Sequence, residues 1–155
     1  MTDVEIAVAC PADIPALAAV EAACFSDPWS ESSLRAQLTG EVGLSLVARV
    51  GGCTVGELFM SLCPPEGEVL RIAVLPAMRG RGVARALLTH GIDLAVSRGA
   101  CVLYLEVREG NAPAISLYRT CGFSLCGRRP NYYRLPREDA LLLQRKPNED
   151  EVPGN

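Results

Sequence analysis

One junction constrains this chain more than any other: a strand that runs through a turn of glycine and arginine directly into a long helix. Glu68–Leu75 alternates as a strand does, and Pro76 stops it. Arg79-Gly80-Arg81-Gly82 follows, and between Gly82 and Arg98 non-polar positions recur at 83, 84, 87, 88, 91, 94 and 95, the period of a helix. A strand feeding a helix in this way points to a mixed α/β architecture. The turn also presents successive backbone N–H groups at a helix N-terminus, where the macrodipole adds partial positive charge and phosphate binds readily. Gly80 and Gly82 let an anion approach the backbone, and Arg79 and Arg81 add formal charge. The plain alternative is a tight turn with solvated arginines. The strand before it and the long helix after it favour the anion site.

Two familiar phosphate motifs fail at this junction. A dinucleotide fingerprint would need glycine at position 85, where Arg85 stands, and a P-loop needs a lysine, whereas the chain's sole lysine is Lys146. Charge along the chain still points to an anionic ligand. Residues 1–70 hold two arginines and ten acids, residues 71–137 eleven arginines and three acids, and residues 138–155 two basic residues and five acids. A net charge of −3 thus conceals a basic middle third between acidic flanks.

Several function classes drop out on composition. At 155 residues, 49% apolar and 21% charged, the chain suits one globular domain over residues 1–146, with residues 147–155 expected to form a disordered acidic tail. No apolar run nears the roughly 18 residues of a membrane span. Asp3 and Glu5 stand where a secretory leader would be positive, and seven scattered cysteines form no CxxC pair. A cytoplasmic protein with reduced thiols is expected. A single histidine, His90, builds no metal cluster, so no metal is expected, and a pI near 5.2 argues against direct nucleic-acid binding.

The remaining elements follow from period and punctuation. Val4–Ala9 reads as a strand, Ile14–Cys24 as a helix capped by Asp13, and a second helix runs from Ser30 to Gly40. Gly43–Val50 and Cys53–Leu62 form a hairpin across Gly51-Gly52. Cys101–Val107 is a strand, Ala112–Cys121 a helix capped by Asn111, and Phe123–Gly127 and Ala140–Gln144 are short final strands, with 128–137 a loop between them. The order β-α-α-β-β-β-α-β-α-β-β predicts a mixed, largely antiparallel sheet flanked by helices.

These residues resemble a known family. Arg79-Gly80-Arg81-Gly82-Val83-Ala84 is similar to the Arg/Gln-x-x-Gly-x-Gly/Ala signature of the GCN-five-related N-acetyltransferases, and the element order is that family's. Leu105-Glu106-Val107-Arg108, Asn111, Ala114–Tyr118, Gly122-Phe123, Asn131-Tyr132-Tyr133 and Arg137–Ala140 resemble its ribosomal-protein-alanine branch, as does Phe25–Ser30. The resemblance covers roughly residues 4–145 and implies acetyl-coenzyme A as cosubstrate. It implies that the pyrophosphate sits on residues 79–84 (Arg79, Gly80, Arg81, Gly82, Val83, Ala84), that Ile72, Ala73 and Val74 pair with the pantetheine amides, and that Asn111 adds a polar contact. It implies Glu106 as general base, Tyr118 as general acid, and Trp29 and Tyr132 on the acceptor side. The implied acceptor is a protein N-terminus, that of the eighteenth small-subunit ribosomal protein; another N-terminus, a small-molecule amine, or coenzyme A binding without turnover are the alternatives.

The residues carry readings of their own beside that resemblance. In Cys101–Val107, alternation puts Val102, Tyr104 and Glu106 on one face, so Glu106 interrupts an apolar strand expected to be central. A buried carboxylate there must be paired, with Arg71 or Arg108 as candidates, or functional. Tyr118 by itself fits a helix core, Asn111 a simple N-cap, and His90 with Asp93 a solvated or structural pair.

Overall fold

Hydrogen bonding between strands, rather than helix packing, sets the frame of this molecule. In the computed structural model, which describes residues 3–134 and 136–146, seven strands form one sheet in the order β1-β2-β3-β4-β5-β7-β6. In chain order the elements are β1 (Glu5–Val8), α1 (Ile14–Cys24), α2 (Glu31–Thr39), β2 (Gly43–Val50), β3 (Cys53–Cys63), β4 (Glu66–Val74), α3 (Val83–Ser97), β5 (Val102–Arg108), α4 (Ala112–Thr120), β6 (Ser124–Arg134) and β7 (Arg137–Arg145). Every neighbouring pair is antiparallel except β4 and β5. The mixed, largely antiparallel sheet expected from the element order is the one observed. The acidic segment 147–155 lies outside the described residues.

Alternation sorts the side chains to two faces. One face, with Leu46, Leu58, Met60, Val69, Leu103, Leu105 and Leu143, packs under α3 and α4. The other, with Val47 and Phe59, packs under Leu17 of α1 and Leu34 of α2. Gly91 lets α3 lie close on β3, because a Cβ there would strike the Leu58 side chain. Burying a leucine of this kind stabilises the fold by about 1.5–3 kcal/mol.

Two expectations are corrected. Residues 128–137 are no loop: β6 runs to Arg134 and β7 starts at Arg137, so the last two strands make one long hairpin. Its signal was masked because β6 is exposed along most of its length and lacks apolar alternation, and a bulge between Arg129 and Tyr133 shifts the register. Asp13 does not cap α1 with its side chain. Its carboxylate instead accepts from the Cys10 N–H at 2.9 Å and meets Arg49 at 2.7 Å, tying the start of α1 to β2. The Asn111 cap of α4 and the Ser30 cap of α2 are present, accepting from Ala114 N–H and Ser33 N–H.

Candidate active site

The parallel contact between β4 and β5 fails partway along, and that failure makes the site. Register pairs run only from Glu66–Val102 to Glu68–Tyr104. Beyond them β4 continues to Val74 and β5 to Arg108 without partners across the gap, so the sheet opens between its two central strands. Backbone polar groups at such a splayed edge need a partner from outside the sheet.

A groove of about 660 Å³ occupies one mouth of the gap. It is lined by residues 72–74 of β4, by Met78, Arg79, Gly80 and Gly82, by Val83, Ala84 and Arg85 at the start of α3, and by Asn111, Pro113, Ala114 and Leu117 of the facing segment; Cys24 and Phe25 close it from the α1 side. Gly80 and Gly82 have φ of 77° and 80°, and a Cβ at either would meet nothing within 4 Å. Their requirement is therefore conformational: left-handed backbone disfavours a side chain by about 1–2 kcal/mol. That conformation turns the chain so that the first amides of α3, unpaired within the helix, face outward. Arg79 donates to the Val74 carbonyl at 3.0 Å, fixing the turn against the end of β4.

The sequence-based cofactor set is thus nearly all gathered here. Ile72, Ala73, Val74, Arg79, Gly80, Gly82, Val83, Ala84 and Asn111 line the groove, while Arg81 is exposed outside its lining. Cys24, Phe25, Met78, Arg85, Pro113, Ala114 and Leu117 line it without having been expected there. Arg85 was visible as the one arginine of α3, in its first turn.

Glu106 lies on β5 across the gap, on the sheet face away from α3. It is not the buried interruption expected: its side chain is 27% exposed. Neither Arg71 nor Arg108 is its ion-pair partner; Arg129 of β6 is, at 3.2 Å. Tyr132 leans on the same carboxylate, whose hydrogen bond pushes the phenol up. Beside it Tyr133 is pushed up by burial and then by Glu106, and its ring takes the Arg108 guanidinium 4.0 Å from the centroid. The long β6–β7 hairpin is what carries these groups in, which is why a reading of 128–137 as a loop missed Arg129 and Tyr133.

Tyr118 sits in α4, 6% exposed, edge-on to Phe123 with centroids 5.8 Å apart. Burial first, and Tyr133 second, push its hydroxyl up to about 12. A phenol so placed keeps its proton, and with it the capacity to donate, at any ordinary pH. Tyr133 thus stands within the electrostatic reach of both Tyr118 and Glu106 at the open end of β5.

Trp29 stacks on Phe59 with centroids 5.2 Å apart and planes 12° apart, half-buried in the α1–α2 loop. Below it Arg71 meets Glu21 at 2.9 Å and carries the Phe25 ring 3.5 Å from its guanidinium carbon. This pair was invisible in the sequence, since the two residues are fifty positions apart and on different elements. Among the described residues no three His, Cys, Asp or Glu side chains gather as a metal site would, and no helix is long and apolar enough to cross a membrane.

The arrangement offers amides for an anion and the buried Tyr118 phenol on the α3–α4 side of an opened sheet, and the Glu106 carboxylate with the exposed Tyr132 phenol on the other. Comparisons with known proteins agree with it. The family model described as acetyltransferase (GNAT) family matches residues 14–123. An N-alpha-acetyltransferase RimI of Mycobacterium tuberculosis is 41% identical over 140 residues, covering 86% of this chain and 87% of that protein. An uncharacterized protein of Mycobacterium leprae is 39% identical over 142 residues, 88% of this chain but only 39% of that longer protein. The crystal structure of the ribosomal-protein-S18-alanine N-acetyltransferase from Escherichia coli superposes with a TM-score of 0.88 at 32% identity, over 99% of this chain and 97% of that one.

Proposed function

The chain belongs to the acetyltransferase (GNAT) family, and from that premise we propose that it acetylates the N-terminal α-amine of a protein, namely the N-terminal alanine of ribosomal protein S18. It is an acetyl-coenzyme A-dependent N-acetyltransferase, and the S18 acceptor follows the proteins it is similar to. Such an acceptor places its work in the cytoplasm, where ribosomes are built. The observation that carries the reading is the splay of β4 from β5, with a phosphate-type turn at one mouth and Glu106 on the other side.

Acetyl-coenzyme A supplies an activated acetyl thioester, and its chemistry fits the residues present. The amides of 83–85 and the left-handed turn at Gly80 and Gly82 suit a pyrophosphate. The unpaired edge of residues 72–74 suits amides that add to a strand. The cosubstrate's thioester end is thereby directed into the gap between the strands.

The acceptor amine titrates near about 7.7–8.0, so much of it is protonated and unreactive at neutral pH. Glu106 receives the ammonium group, displacing Arg129 from its carboxylate, and removes the proton directly or through water. The same face binds the peptide between Tyr132 on the hairpin and the Trp29 loop. Tyr118, held neutral by burial, gives its proton to the departing thiolate. Proximity in the gap supplies the rest of the rate.

A panel of peptides that differ in the first residue, with small-molecule amines beside them, tests the reading. Mass spectrometry should find acetylation on the α-amine with preference for N-terminal Ala. Equal or faster acetylation of polyamines or aminoglycosides would overturn the acceptor assignment.

A further inference from the structure

Glu57 is the least explained side chain in the molecule. It stands on β3 between Val47 and Ala73, 0% exposed, and neither carboxyl oxygen meets a donor. The group within its reach is the Glu21 carboxylate, also fully buried and already an acceptor from Arg71 and from the Trp29 N–H at 2.8 Å. Two carboxyl groups can face each other in a dry interior only if one carries the proton and donates it to the other. Glu21 has the Trp29 backbone N–H and the Arg71 guanidinium, so it is the charged member, and Glu57 is the acid.

The chain of contacts then runs outward. Arg71 binds Glu21 through Nε at 3.0 Å and gives Nη2 to the Asp27 carbonyl at 3.1 Å, while its guanidinium lies under the Phe25 ring. Trp29 is fixed twice, by its N–H on Glu21 and by its ring on Phe59, a β3 residue two places from Glu57. Loop 25–30 is thus held from beneath at Phe25, Asp27 and Trp29 by one buried polar chain that starts at Glu57. Phe25 faces the groove.

We propose that Glu57 is a positioning residue for acceptor selection, donating a hydrogen bond to Glu21 so that the Glu57–Glu21–Arg71 chain holds loop 25–30 as one wall of the acceptor site. This rests on the acceptor reading above only in its second half; the clamp itself is a property of the fold. Burial, with the Glu21 carboxylate beside it, pushes the Glu57 carboxyl up to about 10, in keeping with a group that retains its proton.

Two variants of the full chain test it. Glu57→Gln keeps a donor of the same reach, and Glu57→Leu keeps the volume and removes the donor. Trp29 is the sole tryptophan, so acrylamide quenching of its fluorescence reads the loop without any acceptor. Glu57→Leu should quench more than the parent and raise the peptide KM about tenfold, with kcat within about twofold and the acetyl-coenzyme A Kd raised less than the peptide KM, since Phe25 also lines the cosubstrate groove. Glu57→Gln should match the parent in all four. Unchanged quenching and peptide KM in Glu57→Leu would overturn the proposal, as would a Glu57→Gln as impaired as Glu57→Leu. Should Glu57→Leu fail to accumulate, Glu57→Gln decides by itself: parental quenching supports the donor, raised quenching refutes it. A parent enzyme that acetylates no peptide at all would instead overturn the acceptor reading, while the quenching contrast still judges the clamp.

Discussion

Gly82→Asp separates what the turn does for folding from what it does for the ligand. At φ of 80° any side chain is disfavoured by about 1–2 kcal/mol. For a chain of this size that lowers Tm by about 2–8 °C. A Cβ at position 82 meets nothing within 4 Å, so no clash adds to the conformational strain, and Gly82→Ala should lower Tm to a similar extent. Binding is another matter. An aspartate at the first amides of α3 sets a negative charge roughly 4–8 Å from a bound phosphate, a repulsion of about 2–4 kcal/mol at an effective dielectric constant of about 20. The Kd for coenzyme A should rise about 30- to 1,000-fold, against less than about tenfold for Gly82→Ala. Isothermal titration at fixed salt measures both, and acetyl-coenzyme A should raise the Tm of the parent but not of Gly82→Asp. A folded Gly82→Asp with the parental Kd would place the anion site elsewhere and refute the reasoning.

Tyr118→Phe should lower kcat about 10²-fold or somewhat less, and by the same factor from about pH 6 to 9, because a hydroxyl pushed up to about 12 never changes form in that range; a loss that vanishes at high pH would point to another acid. Glu57 gives stability a distinct pH dependence. Its folded carboxyl is raised to about 10, against 4.5 for the ordinary group, so above about pH 4.5 the unfolded chain releases a proton that the folded chain keeps. Stability should therefore fall with rising pH across that window, by at most about 1.4 kcal/mol per pH unit from this group, and Glu57→Gln should lack the slope. Urea midpoints at a series of pH values check this, and parallel curves for the two proteins would show that Glu57 is ionised when folded.

What could be read from the residues alone follows physical lines. The junction at 68–98 was legible because period, proline and glycine all speak within thirty neighbouring positions, and nine of the sixteen residues that line the groove were named. The β6–β7 hairpin was not, because Arg128, Arg129, Tyr132 and Arg134 decorate a strand that buries little, and exposed strands carry no apolar alternation. That omission hid the ion pair of Glu106 with Arg129 and gave Glu106 the wrong surroundings. The Glu57–Glu21–Arg71 chain lies beyond sequence reasoning of this kind. Each member alone looks like a polar residue on an ordinary strand or helix, and only the sheet order puts β3, β4 and α1 in one layer. The splay of β4 from β5 is likewise a matter of register, which no local pattern records.

The account turns on Glu106 acting as a base across the gap from the cosubstrate. Glu106→Gln preserves the shape and the reach of the side chain and removes its basicity. With an N-terminal Ala peptide at about pH 6.5, kcat should fall by about 10²–10⁴-fold while the acetyl-coenzyme A Kd stays within about twofold. As pH rises through about 8 the loss should shrink, because solvent then delivers the free amine. Turnover of Glu106→Gln close to that of the parent over the whole pH range would contradict the account and leave the carboxylate as no more than the partner of Arg129.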